Sequence, residues 1–249
     1  MDYTKPHIPI FIITHNRLEI LKRCVDSYEK SISHPIRIIF FNVASTYQPT
    51  LDYIASKEKE GCKVYNSEIN NHKLVINAIK DYLDENPQCT YYVVTDPDIE
   101  LDSVNDDILD FYIHVLNKTK ANSVGPMLRI DDIPDYYPRK KNVIDGHGHQ
   151  FWKKPTHSIK YKNNKFLYIC CNTDTTFQLC SSKNILTNFP NSNSIRCLSP
   201  YSARHLDWYL DPNNLSPCQK YYADECSKTS HWANPRWNGR YYGSNIKSL

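Results

Sequence analysis

A chain of 249 residues, 40% hydrophobic and 23% charged, is long enough for one large domain and apolar enough to pack a core. A formal net charge of +3, with no basic run longer than Arg139-Lys140-Lys141, argues against a nucleic-acid partner. No stretch approaches the roughly 18 uninterrupted apolar residues of a membrane span, and the polar start from Met1 to Pro9 lacks the apolar centre of a secretory signal.

Ile8 to Ile13 is an apolar run that predicts a strand, ending in the polar turn Thr14-His15-Asn16-Arg17. Leu18, Leu21, Val25 and Tyr28 then fall at helical spacing, with Asn16 placed to cap the helix start. Exposed amides at such a start could also receive phosphate. Arg37 to Val43 reads as a second buried strand and Leu51 to Glu60 as a helix. Cys62 to Asn66 reads as a brief third strand and Lys73 to Glu85 as another helix. Next comes Thr90-Tyr91-Tyr92-Val93-Val94-Thr95, a β-branched and aromatic strand, and immediately after it Asp96-Pro97-Asp98. The proline ends the ladder. Residues two apart in extended chain point the same way, so Asp96 and Asp98 can face one point. Two hard oxygen anions there suit a divalent cation, although Asp-Pro-Asp is also an ordinary turn sequence. Asp106 to Lys118 reads as a further helix.

Strands alternating with helices of these lengths predict βαβ units and a mostly parallel sheet whose strand-end loops gather on one edge. After about residue 124 the pattern changes. Gly125 to Pro134 reads as acidic loop, Lys165 to Cys171 as a strand, and the last fifty residues hold no long periodic segment. The nine cysteines include no C-x-x-C and read as reduced thiols of a cytoplasmic chain. A zinc site from Cys218, Cys226 and His231 has poor spacing. The chain is read as a single domain, 1–249, with a nucleotide-type half over 1–123 and an acceptor-shaping half over 124–249.

Four features resemble nucleotide-sugar glycosyltransferases of the GT-A fold, in a family-two-like bacterial and viral subgroup. They are the turn Ile12 to Leu18, the loop Asn42 to Thr46 (with Asn42 where an Asp is usual), the D-x-D signature Asp96-Pro97-Asp98, and three later stretches. Those stretches are Leu128 to Pro134, Asp174-Thr175-Thr176-Phe177 and Tyr201 to Tyr209. The resemblance implies an α/β GT-A architecture: a Rossmann-like, mostly parallel central sheet flanked by helices, followed by a loop-rich acceptor-binding half. It implies transfer of a sugar from a nucleoside diphosphate sugar, UDP-linked by preference, to a glycan, glycoconjugate or protein-linked acceptor. Mn²⁺ or Mg²⁺ would act as Lewis acid on the departing diphosphate.

On that resemblance Asp98 touches the metal directly, and Asp96 reaches it through water or holds the ribose. Thr14, Asn16, Arg17 and Asn42 contact the nucleotide, and His231 supplies a third metal ligand. An inverting enzyme needs a carboxylate base. Asp174 is the first candidate, Asp207 the second, and Asp131 or Asp132 the third. His147 and His149, with Trp152, Trp208, Tyr201, Tyr209, Trp232 and Trp237, are candidates to line an acceptor site. A sugar nucleotidyltransferase would want a glycine-rich phosphate loop, and Thr14 to Arg17 contains no glycine. A non-catalytic carbohydrate-binding relative would be expected to lack an Asp of the signature, and a hydrolase lacks its usual nucleophile motifs.

Overall fold

Strand β1, Ile8–Thr14, is buried at all seven positions. A strand covered on both faces is continuously apolar rather than alternating. Ile8, Ile10 and Ile12 enter one hydrophobic cluster while Phe11 and Ile13 enter a second, so the sheet separates two cores. Helix α1, Leu18–Ser31, packs Leu21, Cys24, Val25 and Tyr28 on the first face. The computed structural model describes residues 6–225.

From β1 the chain winds through β2, Ile36–Val43; α2, Gln48–Lys59; β3, Lys63–Ser67; and α3, Val75–Glu85, to β4, Tyr91–Thr95. These strands lie in the order β3-β2-β1-β4 and all pair in parallel. Helix α3 supplies Ala78, Ile79, Tyr82 and Leu83 to the second core. After the two-residue β5, Ile99–Glu100, α4, Ile108–Thr119, covers the first face with Leu109, Phe111, Tyr112 and Val115.

The second half extends the same sheet. β6, Ser123–Pro126, is followed by α5, Lys140–His147, one π-helical turn at Gly148–Trp152, and the hairpin β7, Thr156–Tyr161, with β8, Asn164–Cys170. β9, Gln178–Ser181, inserts antiparallel between β4 and β6, and β10, Ser194–Cys197, pairs parallel to β6 and antiparallel to β8. Seven of the nine strands run one way, with β8 and β9 opposed. The result is the large, mostly parallel central sheet flanked by helices that the sequence predicts. β11, Arg204–His205, pairs antiparallel with β5, and a 3₁₀ turn at Leu206–Tyr209 leads toward α6, Pro217–Glu225. None of the helices among the described residues is long and apolar enough to cross a membrane.

Several elements differ from the sequence reading. Gly125 is not in a loop but inside β6, where a Cβ would stand 3.1 Å from the Thr176 carbonyl oxygen. The close approach of the 174–177 segment explains a glycine there. Asn16 does not cap α1. The residue at that cap is Arg17, and Asn16 takes φ 51°. Its Oδ1 instead accepts the Thr46 and Tyr47 amides, at 2.6 and 2.8 Å, where the chain enters α2.

Candidate active site

Parallel connections bring the ends of β1, β2 and β4 to one edge, where ligands bind in open α/β sheets. Thr14, Asn42 and Asn66 are register partners across β1, β2 and β3 and form a polar row along that edge. Asn42 donates to Asn66 Oδ1 at 2.9 Å. Asn16 is fully buried; besides accepting two amides, it donates to Thr46 Oγ1 at 3.0 Å. Its side chain therefore ties the first strand-end loop to the second. Helix α6 packs over both loops: Tyr221 lies 4.8 Å from the Tyr47 ring, Tyr222 sits under the Arg17 guanidinium at 4.7 Å, and Cys218 Sγ accepts the Leu18 amide.

Asp96 and Asp98 stand at the end of β4 in different surroundings. Asp96 is half-buried; its amide donates to the Thr175 carbonyl and its Oδ2 accepts Thr175 Oγ1, both at 2.6 Å. Burial, then the neighbouring Asp98, raises its pKa well above the ordinary carboxylate value. Asp98 is buried, and its Oδ2 accepts Arg17 Nη1 at 2.7 Å. The same guanidinium pairs with Asp207, Nη1 donating to Oδ2 at 3.2 Å and Nη2 contacting Oδ1. Arg17 thus bridges two buried carboxylates.

The β5–β11 ladder makes this juxtaposition possible, since the Leu206 amide donates to the Asp98 carbonyl at 2.7 Å. It brings His205 Nε2 to 3.7 Å from Asp98 Oδ2. One ligand atom from each of Asp98, His205 and Asp207 lies within 4.8 Å of the others, a donor set of two carboxylates and an imidazole that suits Mn²⁺. Asp98 Oδ1, Thr14 Oγ1, Asn42 Oδ1 and Thr176 Oγ1 are buried with no hydrogen-bond partner. Such atoms are uncommon in folded proteins and call for a partner of another kind. The residues present fit a divalent cation with a polar ligand beside it.

Asp174 is exposed, one residue from the Thr175 that holds Asp96, and its Oδ1 accepts the Thr175 amide at 2.9 Å. A buried polar network anchors its loop: Ser123 with Thr173 at 2.7 Å, Thr173 to Gln178 at 2.8 Å, and Arg196 to the Asn172 and Pro126 carbonyls. Asp207, by contrast, is buried and committed to Arg17. Asp132 is engaged elsewhere. Burial opposes ionisation, but hydrogen bonds from Tyr209 and Arg204 outweigh it and hold the carboxyl below its usual range. Asp131 is exposed beside Arg129.

Trp208 is buried, stacked on His205 at 4.9 Å and met edge-on by His147 at 4.6 Å. Tyr201 is core, stacked on Phe111, whereas Trp152 and His149 are exposed and Tyr209 is half-buried. His231, Cys226, Trp232 and Trp237 lie outside the described residues. Sequence reasoning did not assign His205 a role, although it sits inside the quoted stretch Tyr201 to Tyr209. Its spacing of two from Asp207 across a strand end is the signal that could have found it.

Burial, reinforced by Arg196 and His205, pushes the His147 pKa from 6.5 down to about 3. The unfolded chain therefore binds a proton that the fold refuses, and stability present above pH 6.5 is lost as pH falls toward 3. His147 should contribute a slope approaching about 1.4 kcal/mol per pH unit in that window. Urea midpoints measured from pH 7 to 4 should fall more steeply for the parent than for His147→Phe. Parallel curves would count against this environment for His147.

No family model matches the chain. Over 127 residues it is 28% identical to an uncharacterized protein, L142, of Acanthamoeba polyphaga mimivirus; that stretch is 48% of this chain and 25% of the relative. The chain thus spans about a quarter of the length of the curated relative it matches. Among solved structures it is similar to S. aureus TarS 1-349 in complex with UDP-GlcNAc, with 11% identity, a TM-score of 0.46, and coverage of 95% of this chain and 73% of that one. It is also similar to the mannosyltransferase PcManGT from Pyrobaculum calidifontis in complex with GDP-Man and Mn²⁺, with 17% identity, a TM-score of 0.36, and coverage of 51% and 37%.

Proposed function

We propose that the chain is a metal-dependent glycosyltransferase that moves a sugar from a nucleoside diphosphate sugar, UDP-linked by preference, to a hydroxyl of a glycan or glycoconjugate. The observation that carries this reading is the strand-end edge itself. Four buried side-chain oxygens, on Thr14, Asn42, Asp98 and Thr176, have no partner, and Asp98 also belongs to a carboxylate–imidazole cluster. A ligand offering hydrogen-bond donors and a cation would satisfy them together.

In this reading residues 1–123 form the donor half and 124–249 the acceptor half of one domain. Thr14 and Asn42 meet the nucleoside, while Asn16 holds the second loop in place for it. Asp98 is the principal metal ligand, and Asp96 orients the ribose from its hydrogen bond with Thr175. The bound divalent ion supplies Lewis-acid stabilisation of the leaving diphosphate. Asp174, exposed on an anchored loop, takes the proton of the attacking acceptor hydroxyl as that oxygen bonds the anomeric carbon. This assigns inversion of configuration.

The test is a panel of UDP- and GDP-sugars incubated with the full chain, with and without Mn²⁺, scored by release of the nucleoside diphosphate. Slow, Mn²⁺-dependent hydrolysis of one or two donors is expected. Turnover of a sugar 1-phosphate with a nucleoside triphosphate, and none of any nucleotide sugar, would replace the reading with a nucleotidyltransferase.

A further inference from the structure

We propose that the divalent-cation site of this chain is Asp98, His205 and Asp207, and that the cation takes the place of the Arg17 guanidinium that bridges the two carboxylates. This rests on the transferase reading above and specifies its metal centre.

The geometry is close to that of a bound ion. Metal–oxygen and metal–nitrogen distances of about 2.0–2.2 Å allow ligand atoms up to roughly 4.4 Å apart, and the three atoms here lie within 4.8 Å of one another. Small side-chain shifts would complete the set. Asp98 also keeps a second oxygen, Oδ1, buried and without a hydrogen-bond partner. An isolated pair of buried carboxylates is costly unless a cation neutralises it. Arg17 does so, with Nη1 2.7 Å from Asp98 Oδ2 and 3.2 Å from Asp207 Oδ2.

A divalent ion bound to those same oxygens would sit against the guanidinium, and two cations cannot share so small a space without strong repulsion. One must leave. Arg17 has somewhere to go, because its Cζ already lies 4.7 Å over the Tyr222 ring, a face that attracts a cation. From there a planar, five-donor group is suited to grip a diphosphate. Asp96 stands apart from this exchange, its Oδ2 held by Thr175.

The experiment measures Mn²⁺ binding to the full chain by calorimetry, without nucleotide. Arg17→Met should bind Mn²⁺ at least about tenfold more tightly than the parent, because the competing cation is gone. His205→Gln should bind at least about tenfold more weakly, and Asp96→Asn should stay within about threefold. An Arg17→Met affinity equal to or weaker than the parent overturns the exchange. Loss of binding in Asp96→Asn with none in His205→Gln moves the ion to the Asp96–Asp98 pair and overturns the site.

Should Arg17→Met fail to fold, tryptophan fluorescence of a chain that keeps Arg17 still decides the site. Mn²⁺ is paramagnetic, and Trp208 is stacked on His205. Saturable quenching of tryptophan fluorescence that disappears in Trp208→Phe and shifts in His205→Gln supports the site, and unchanged quenching in both overturns it. Failure of this proposal is separable from failure of the transferase reading. A misplaced ion leaves Mn²⁺-dependent release of the nucleoside diphosphate intact, whereas a wrong function abolishes it for every donor.

Discussion

Asp174→Asn should lower kcat for sugar transfer by about 10²–10⁴-fold while leaving Mn²⁺-dependent binding of the nucleoside diphosphate unchanged. The asparagine keeps the shape of the side chain and the acceptor for the Thr175 amide, so the loop should hold its place. What it cannot do is take a proton. The loop's anchors are internal to the fold: Arg196 on the Asn172 carbonyl, and the Ser123–Thr173–Gln178 chain. A loss in kcat should therefore come without a fall in melting temperature. Steady-state kinetics with acceptor and donor varied separately provide the check. A variant within threefold of the parent would remove Asp174 as base. Asp207 would be a poor replacement while it remains buried against Arg17.

The second large effect is expected at Asp98. Asp98→Asn should abolish Mn²⁺-dependent donor binding, reducing turnover by at least about 10²-fold. It should also destabilise the fold, but by less than the 3–5 kcal/mol or so typical of an orphaned buried charge. Arg17 keeps Asp207, and its guanidinium retains the Tyr222 face. Denaturant unfolding and donor calorimetry on the same preparation separate the two consequences. Full donor affinity in a folded Asp98→Asn chain would leave the metal without its principal ligand and the mechanism without support.

The first half of the chain was legible because its physics is local. β1, β2 and β4 are buried on both faces, so they appear as unbroken apolar runs, and α1 shows its buried stripe as Leu21, Val25 and Tyr28. The second half hides most of its strands, β8, read as Lys165 to Cys171, being the exception. β7 is exposed or half-buried at every position and carries no apolar pattern, β6 is four residues containing a glycine and a proline, and β11 is two residues long. Pairing, not local propensity, makes these segments strands: β6 and β11 pair with strands distant in the chain, and β7 with β8 across a two-residue turn.

The site divides in the same way. The spacing of Asp96 and Asp98 at a strand end is visible in a single stretch of sequence. The bridge from Arg17 joins residues 81 and 190 positions away, and no local pattern announces it. Asn16 illustrates a subtler failure. It is a good capping residue placed before a helix, yet it serves the entrance of α2 instead, because φ 51° turns its side chain toward the second loop.

The most direct test is a crystal of the full chain grown with UDP and Mn²⁺, examined at the manganese absorption edge. An anomalous peak bonded to an Asp98 carboxylate oxygen, with the uridine against Thr14 and Asn42, is the predicted result. A manganese peak away from Asp98, or a nucleotide bound away from the strand-end edge, would contradict it.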